Sequence, residues 1–142
     1  MAKGKNYVRL EFYAKDCNLA VARLAAAAFS AEMGFSLTDI EEIKVAVSES
    51  VSNAMIHGYG GDETRIVMLT LSAFESELEI VVSDDGIGIK DVEQALTPAY
   101  SAAEDHLGLG FVFIQSFMDA LDIRSAAGEG TSVRMCKRRS GE

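Results

Sequence analysis

An acid and an amide lie one helical turn apart in the segment SESVSNAMIHG, residues 48–58. Glu49 and Asn53 are separated by four positions, so a helix turning about 100° per residue places both side chains on one face, away from its apolar stripe. An amide oxygen suits a hard cation such as Mg²⁺, and a glutamate can accept a proton from an attacking hydroxyl group. The pair is a candidate for chemistry on a metal-bound phosphate, and the alternative is a solvated helix face.

A second candidate site lies in VVSDDGIGI, at the end of a strand-like run. Asp84 would present a carboxylate at the strand end, where it can accept a hydrogen bond, for example from an exocyclic amine. Gly86 and Gly88 would allow the backbone to lie flat against a planar ligand. The alternative is a simple turn, because Asp and Gly are common turn residues.

Glycines also open an apolar helical pattern in HLGLGF. Gly108 and Gly110, on either side of Leu109, would leave free N–H groups at the positive end of the helix dipole, an arrangement that binds phosphate. No GK[ST] follows, so the segment is not a Walker motif, and glycines required only for packing are the alternative. A further glycine segment, GEGT, predicts a hairpin turn that ends at Thr131.

The first half of the chain must position the acid and the amide. Apolar and polar residues alternate in YVRLEFYA, which predicts a strand. An alanine-rich pattern predicts a helix over 17–33 with Asp16 as its N-terminal cap. A capping box of Thr38 and Glu41 predicts the start of a second helix, which runs to about His57. Its apolar stripe faces the core, so the candidate pair lies on another face.

The second half contributes mainly strands. TRIVMLTLSAF and ELEIVVSD predict a hairpin, a weakly patterned segment over 90–107 contains Pro98, and GLGFVFIQSFMDAL predicts a helix to about Leu121. DIRSA and TSVRMCK predict a closing hairpin. This order of elements predicts an α+β fold: a two-layer sandwich with a mostly antiparallel sheet and helices on one face, forming a single domain over 1–142.

Composition narrows the functional class. The chain has 142 residues, of which 49% are hydrophobic, so one domain can form its own core. Cys17 and Cys136 show no CxxC spacing, which favours idle thiols in a reducing cytoplasm. There is no secretory signal pattern and no run long enough to span a membrane. A net charge of −9 disfavours nucleic acid as a direct partner.

The order and spacing of the motifs resemble the Bergerat ATP-binding fold, which is shared by DNA gyrase, the heat-shock chaperone ATPase, MutL and sensor histidine kinases. Within that group, EIKVAVSESVSNAMIHGY, DDGIGI and LGLGFVFIQSFMDAL are most similar to the anti-sigma factor serine kinases, in particular the sporulation anti-sigma F branch. The similarity covers about residues 7–137. The HGY after the asparagine and the F-MD after the glycine segment are its more specific parts.

The resemblance implies a role for each residue of the acid–amide pair and of the glycine segment. Glu49 matches the family's general base, and Asn53 matches its Mg²⁺ ligand. Gly108, Leu109 and Gly110 match the loop that contacts the phosphates of ATP.

The resemblance also implies how adenine is recognised. Asp84 matches the carboxylate that receives the adenine amino group, with Gly86 and Gly88 beside it. Thr131 matches a threonine that supports this recognition.

Partners follow from the same resemblance. Members of the family bind a sigma factor, phosphorylate a serine on an anti-anti-sigma factor, and are usually homodimers. Two other functions stay open: a non-catalytic, nucleotide-dependent sigma-binding module, and an orphan histidine-kinase ATPase module. The second is disfavoured because nothing upstream of Tyr7 could carry a phosphoacceptor helix, and a gyrase-type clamp is disfavoured because no transducer domain follows.

One departure from the family pattern lies in the segment before the glycines. Between Lys90 and Arg124 the sequence contains no Lys or Arg, whereas related lids often carry an arginine just before the glycine segment. Here that position is His106, beside Glu104 and Asp105. A protonated histidine could contact phosphate, and the alternative is a lid histidine without that role.

Overall fold

The computed structural model describes residues 4–89 and 107–139 of the chain. The strands are β1 (Asn6–Tyr13), β2 (Ile66–Ala73), β3 (Glu77–Asp84), β4 (Ala120–Ser125) and β5 (Thr131–Arg138). The helices are α1 (Cys17–Glu32), α2 (Leu37–Asn53) and α3 (Leu107–Phe117). All strand pairs are antiparallel, in the order β1-β2-β3-β5-β4. The predicted α+β sandwich, with an antiparallel sheet and helices on one face, is confirmed.

The core lies between the sheet and the helical layer. Every second residue of the hairpin strands β2 and β3 is buried, and the apolar side chains with almost no exposed surface on this face are Val67, Leu69, Leu71, Leu78, Ile80 and Val82. The helix α2 contributes Ile43, Val47 and Val51, all with no exposed surface. The strict alternation in β2 and β3 is the period-two pattern of strands that have one covered face.

Strand register brings three strand ends together at Thr131. Asp84, the last residue of β3, is paired with Thr131, the first residue of β5. Ser125, the last residue of β4, is paired with Thr131 from the other side. This end of the sheet therefore holds a carboxylate and two hydroxyl groups in adjacent strands.

The helix caps differ from the predicted ones. The side chain of Ser36 caps α2 by accepting a hydrogen bond from the backbone N–H of Asp39 at 3.1 Å, so the capping box of Thr38 and Glu41 was wrong. Ser36 has an extended backbone and reaches the third N–H of the helix, as an N-cap residue does. Asp16 makes no side-chain capping bond, and its backbone is already helical.

The helix α3 is shorter than predicted. It ends at Phe117, and Leu121 lies in β4, paired with Met135. Between them the backbone N–H of Asp119 donates to the carbonyl of Cys136 at 2.8 Å. Pairing of β4 with residues 131–136 of β5 outweighs the helical period of the apolar residues, because it satisfies backbone groups that would otherwise be left at the sheet edge.

A buried lysine ties the helices to the sheet. Lys137 in β5 donates to Glu42 Oε1 of α2 at 3.0 Å and to the carbonyl of Phe117 at the end of α3. The Lys137 side chain is only 9% exposed, whereas its partner Glu42 is 32% exposed, so the ammonium group is shielded from solvent and the carboxylate is partly shielded. The contact fixes α3 against α2, the helix that carries the candidate acid and amide.

Some predicted features fall outside the described residues, namely Pro98, His106 and nearly all of the segment over 90–107. Both cysteines are free thiols, Cys17 exposed and Cys136 buried. Within residues 4–89 and 107–139, none of the helices combines the length and the apolarity required to cross a bilayer.

Candidate functional site

A cavity of about 130 Å³ opens where the end of α2, the loop after β3 and the start of β5 meet. Four of the predicted site residues line it: Asn53, Asp84, Gly88 and Thr131. Its other described walls are Ser50, Ala54, His57, Gly58, Val82, Ile87, Ile89, Phe111 and Val133. Whole ligand clefts usually begin at about 300 Å³, so this mostly apolar cavity has room for part of a ligand, such as one planar base.

Asp84 contributes a buried carboxyl group to the wall of the cavity. The residue is 8% exposed, and the backbone N–H of Gly86 donates to its Oδ1 at 2.8 Å. Burial raises the pKa of the Asp84 carboxyl, and the negative charge of Asp85 raises it further. Three effects, each weaker than burial, lower this pKa: a backbone hydrogen bond from Gly86, the charge of Arg65 and a backbone hydrogen bond from Thr131. A buried acceptor of this kind favours a ligand that brings hydrogen-bond donors.

Gly58 and Gly86 allow the backbone after α2 to pack directly against Asp84 and the loop that follows it. The helix α2 continues into a π-helical turn, Ala54–Gly58. A Cβ on Gly86 would lie 2.0 Å from the carbonyl oxygen of Gly58, and one on Gly58 would lie 2.8 Å from Asp84 Oδ1. The N–H of Ile87 also donates to the Gly58 carbonyl at 3.0 Å. The turn after Asn53 and the loop after Asp84 therefore interlock, and neither glycine can carry a side chain.

Tyr59 secures the same junction from outside. Its hydroxyl accepts a hydrogen bond from the N–H of Asp85 at 2.8 Å and donates to the carbonyl of Ile66. The guanidinium of Arg65 lies 4.7 Å from the centre of the Tyr59 ring and donates to the Asp85 carbonyl at 2.9 Å. The HGY motif thus has a structural explanation: each of its last two residues contacts the loop that carries Asp84.

Glu49 and Asn53 meet the glycine segment at Gly110. A Cβ on Gly110 would lie 3.0 Å from Glu49 Oε1, 3.3 Å from Asn53 Nδ2 and 3.6 Å from Asn53 Oδ1. The two side chains therefore end against the first turns of α3, next to its positive end. Glu49 is half-buried rather than solvated, and the solvated-face alternative does not describe this surface.

The amide of Asn53 fits a role in binding. Its Nδ2 atom is buried and has no hydrogen-bond partner among the described residues, a costly arrangement unless a ligand satisfies it. No group of three or more His, Cys, Asp or Glu side chains in the described part of the chain could hold a metal by itself. A cation bound at Asn53 would take most of its oxygen ligands from a phosphate and water, as Mg²⁺ usually does.

Most of the predicted site residues lie in the cavity wall or directly beside it. Gly86 lies behind Asp84 rather than in the cavity wall, and Glu49 and Gly110 adjoin the cavity through Asn53. Gly108 and Leu109 lie in the first turn of α3. His106, as a lid residue, lies outside the described residues.

Sequence reasoning missed several contributors. Ser125 bonds to three groups around Thr131, and a signal for it existed: the hairpin turn places it opposite that threonine. Gly58 was predicted only as the end of the second helix, and Tyr59 only as part of the HGY motif, so neither had a role in the site. The apolar walls, such as Phe111 and Val133, were not predicted as part of the site.

Comparison with known proteins identifies the family of the chain. A family model described as a histidine kinase-like ATPase domain matches residues 12–137. The relative named anti-sigma F factor from Clostridium novyi (strain NT) is 42% identical over 135 residues, covering 94% of both chains. Anti-sigma F factors from Clostridium perfringens (strain SM101 / Type A) and Thermoanaerobacter sp. (strain X514) are 41% and 42% identical, covering 94% and 93% of this chain and 96% and 93% of theirs.

Solved structures share the fold. The crystal structure of the RsbU and RsbW domains of Rv1364c from Mycobacterium tuberculosis aligns with a TM-score of 0.71 at 21% identity, covering 97% of this chain and 34% of that one. The histidine kinase domain of the Erythrobacter litoralis EL346 blue-light activated histidine kinase aligns with a TM-score of 0.52 at 21% identity, covering 71% of this chain and 45% of that one. Together with the matched family model and relatives above 40% identity, they confirm the resemblance found in the motifs. The chain belongs to the histidine kinase-like ATPase domain family and, within it, to the anti-sigma F factors.

Proposed function

We propose that this chain is an anti-sigma factor that binds ATP with Mg²⁺, binds a sigma factor, and phosphorylates a serine on an anti-anti-sigma factor. The observation that carries the proposal is the convergence of Glu49 and Asn53 on Gly110 beside a cavity lined by Asp84. The amide of Asn53 lies in the wall of this base-sized cavity, and the acid of Glu49 and the first turns of α3 lie next to that amide. The names of the relatives support the sigma-binding part of the proposal.

The cavity would take the adenine base. Asp84 would accept a hydrogen bond from the exocyclic amine, supported by Thr131 and with Gly88 beside it. The apolar walls would contact the faces of the ring. The ribose and phosphates would then extend past Asn53 toward the first turn of α3, where Gly108, Leu109 and Gly110 present backbone N–H groups near the positive end of the helix.

Mg²⁺ would be held by the amide oxygen Oδ1 of Asn53. The Nδ2 of the same side chain, which has no partner among the described residues, is a donor and would suit a phosphate oxygen. When bound, the ion supplies charge neutralisation for the phosphates, which is a large part of catalysis of phosphoryl transfer. The protein side chains do the remaining work of binding and orienting the two substrates.

Glu49 would act on the hydroxyl group of the substrate serine. In the reaction, a bond forms between that serine oxygen and the γ-phosphorus, the bond between the γ-phosphorus and the β,γ-bridging oxygen breaks, and ADP leaves with the electron pair. The hydroxyl proton passes to the Glu49 carboxylate. The contact of Glu49 with the backbone of Gly110 would hold the base near the phosphate-binding end of α3.

The wider assignments belong to the same proposal. Residues 1–142 would form a single domain, which is supported by the one sheet that joins all five strands. The protein would be a cytoplasmic homodimer, and the sporulation programme of the anti-sigma F branch would be its setting. The outer sheet face offers partly or fully exposed side chains such as Tyr7 and Arg9 for a protein contact.

A nucleotide-dependent sigma-binding module without kinase activity is the second candidate. The absence of Lys and Arg between Lys90 and Arg124 favours it, because no arginine is available in that segment to stabilise the γ-phosphate. Binding of ATP would then set the shape that the sigma factor recognises.

The deciding experiment incubates the chain with γ-labelled ATP, Mg²⁺ and the candidate anti-anti-sigma protein, beside a pull-down of the cognate sigma factor. The kinase proposal expects label on a serine of the partner and ATP-dependent capture of the sigma factor. Capture without label transfer would favour the binding module. Neither ATP binding nor sigma capture would overturn both.

A further inference from the structure

Ser125 is the hub of a small hydrogen-bond cluster beside the cavity. The backbone N–H of Ile89 donates to Ser125 Oγ at 2.7 Å, and Ser125 Oγ donates to the carbonyl of Gly130 at 2.7 Å. Ser125 Oγ also lies 2.9 Å from Thr131 Oγ1. The cluster joins the loop after β3, the end of β4 and the start of β5, and two of its members, Ile89 and Thr131, line the cavity.

Counting hydrogens assigns the direction of the hydroxyl contact. A serine hydroxyl has one hydrogen and two acceptor lone pairs. A carbonyl can only accept, so the single hydrogen of Ser125 goes to Gly130, and the amide of Ile89 can only donate. The hydrogen between Ser125 and Thr131 must therefore come from Thr131, which fills the second lone pair of Ser125.

This assignment decides what Thr131 offers to the cavity. With its only hydrogen directed at Ser125, Thr131 Oγ1 has lone pairs alone for a ligand. Asp84, paired with Thr131 across β3 and β5, likewise presents carboxylate oxygens. The polar end of the cavity then consists of acceptors from two adjacent strands, and a base that faces it must supply the hydrogens.

We infer that Ser125 is a positioning residue that sets base selectivity: by holding the Thr131 hydroxyl as an acceptor, it makes the site favour a 6-amino purine over a 6-oxo purine. The inference rests on the proposed binding of ATP in this cavity. A 6-amino group brings two N–H donors to the acceptors, whereas a 6-oxo group brings only lone pairs and leaves them unpaired. Loss of Ser125 would free the Thr131 hydroxyl to rotate and donate to an oxo group.

The test compares the dissociation constants of ATP and ITP, which carry an amino and an oxo group at position 6, by calorimetry in Mg²⁺. The wild type should prefer ATP by at least about tenfold, and Ser125→Ala should reduce that preference by about fivefold, the effect of one neutral hydrogen bond. Ser125→Thr keeps a hydroxyl group and should restore the preference. Ser132→Ala is the control: Ser132 follows Thr131 in β5, and its hydroxyl bonds Ser83 of β3 instead. This variant should leave the preference for ATP unchanged.

A general loosening of the hairpin is separated from this role by a double-mutant cycle. In a Thr131→Val background there is no hydroxyl left to orient, so Ser125→Ala should no longer change the ATP-to-ITP ratio, although it still removes the bonds to Ile89 and Gly130. An unchanged ratio in the single variant, an equal effect in both backgrounds, or ATP binding by the wild type without preference over ITP would overturn the inference alone. A wild-type chain that binds no ATP would overturn the proposed function and the inference with it.

Discussion

The backbone of Gly110 lies directly against the Glu49 carboxylate: a Cβ at position 110 would stand 3.0 Å from Glu49 Oε1. The same point is 3.3 Å from Asn53 Nδ2. Both distances are shorter than ordinary contacts of a Cβ atom, so a methyl group at position 110 would displace the side chains of Glu49 and Asn53. Gly110 thus couples the start of α3 to the acid and the amide of α2.

Gly110→Ala should separate activity from stability. Alanine favours a helix over glycine by about 1 kcal/mol, which offsets part of the crowding, and the Glu49 carboxylate lies at the end of a flexible side chain. We therefore expect a melting temperature within a few degrees of wild type and a phosphoryl-transfer rate reduced by about tenfold or more, since small misplacements of reacting groups are costly.

Ser116→Ala, at an exposed position of the same helix, serves as the control. It should alter neither quantity. A Gly110→Ala protein that transfers phosphate at the wild-type rate would show that the position of Glu49 against α3 is unimportant for catalysis.

Asp84→Asn should weaken ATP binding sharply. The substitution removes a charged acceptor in a buried site, and such hydrogen bonds contribute about 1.5–3 kcal/mol, or roughly 10- to 100-fold in the dissociation constant. Calorimetric titration with ATP in Mg²⁺ measures this. Asp85→Asn changes the neighbouring exposed carboxylate and should have little effect, and equal affinities for wild type and Asp84→Asn would remove Asp84 from the site.

The same variant should be more stable than the wild type without nucleotide at neutral pH. Burial raises the folded-state pKa of Asp84 above its unfolded-state pKa. The protonated Asp84 therefore contributes fully to stability below the unfolded-state pKa, and this contribution is lost as the pH rises through the folded-state pKa. Asp84→Asn is neutral throughout. Thermal unfolding of both proteins across the acidic to neutral range should show the gap narrowing as the pH falls, and a gap that widens on acidification contradicts this.

Asn53→Ala should reduce ATP affinity much more in Mg²⁺ than in EDTA. The reason is that only the part of binding carried by the cation depends on the amide oxygen. Parallel titrations in the two buffers give the comparison. Asn18→Ala is the matched control, because it removes an amide outside the site, one that donates to the carbonyl of Tyr13. Equal losses of affinity in both buffers for Asn53→Ala would indicate that Asn53 acts through packing.

The sequence predicts where most of the chemical groups lie, and less of how they touch. Asp84 at a strand end follows from alternation ended by a turn, and Glu49 and Asn53 on one helix face follow from helical period. The contact of Gly86 with the Gly58 carbonyl does not follow, because it joins backbones distant in sequence and the motif around each glycine does not predict the other as its partner.

The end of α3 and the role of Ser125 depend on strand pairing, which local sequence patterns do not determine. The apolar residues up to Leu121 fit a helix, but pairing with Met135 places that residue in β4. Ser125 belongs to no motif, and the one signal for its role is the predicted hairpin, which places it opposite Thr131. Tertiary pairing decides both, and the chemical roles of all the site residues stay predictions until the variants are measured.

Glu49→Gln distinguishes the kinase from the binding module. The amide is nearly isosteric with the carboxylate, so the contact with Gly110 and the packing of α2 on α3 should survive. It cannot take the proton of the substrate serine, and phosphoryl transfer should fall by about 10²–10⁴-fold, the contribution typical of a general base. ATP affinity and ATP-dependent capture of the sigma factor should persist, because Glu49 adjoins the cavity without lining it.

Single-turnover transfer to the anti-anti-sigma protein gives the rate, and a pull-down gives sigma binding. The control is Glu41→Gln, a glutamate on the same helix whose side chain is 71% exposed and pairs with Lys44; it should behave like wild type in both assays. If Glu49→Gln transfers phosphate at the wild-type rate, another group orients the serine. If the wild type transfers none yet still holds the sigma factor, the chain is a binding module, and the segment without Lys or Arg before the glycines is where the missing phosphate contact should be restored, by His106→Arg.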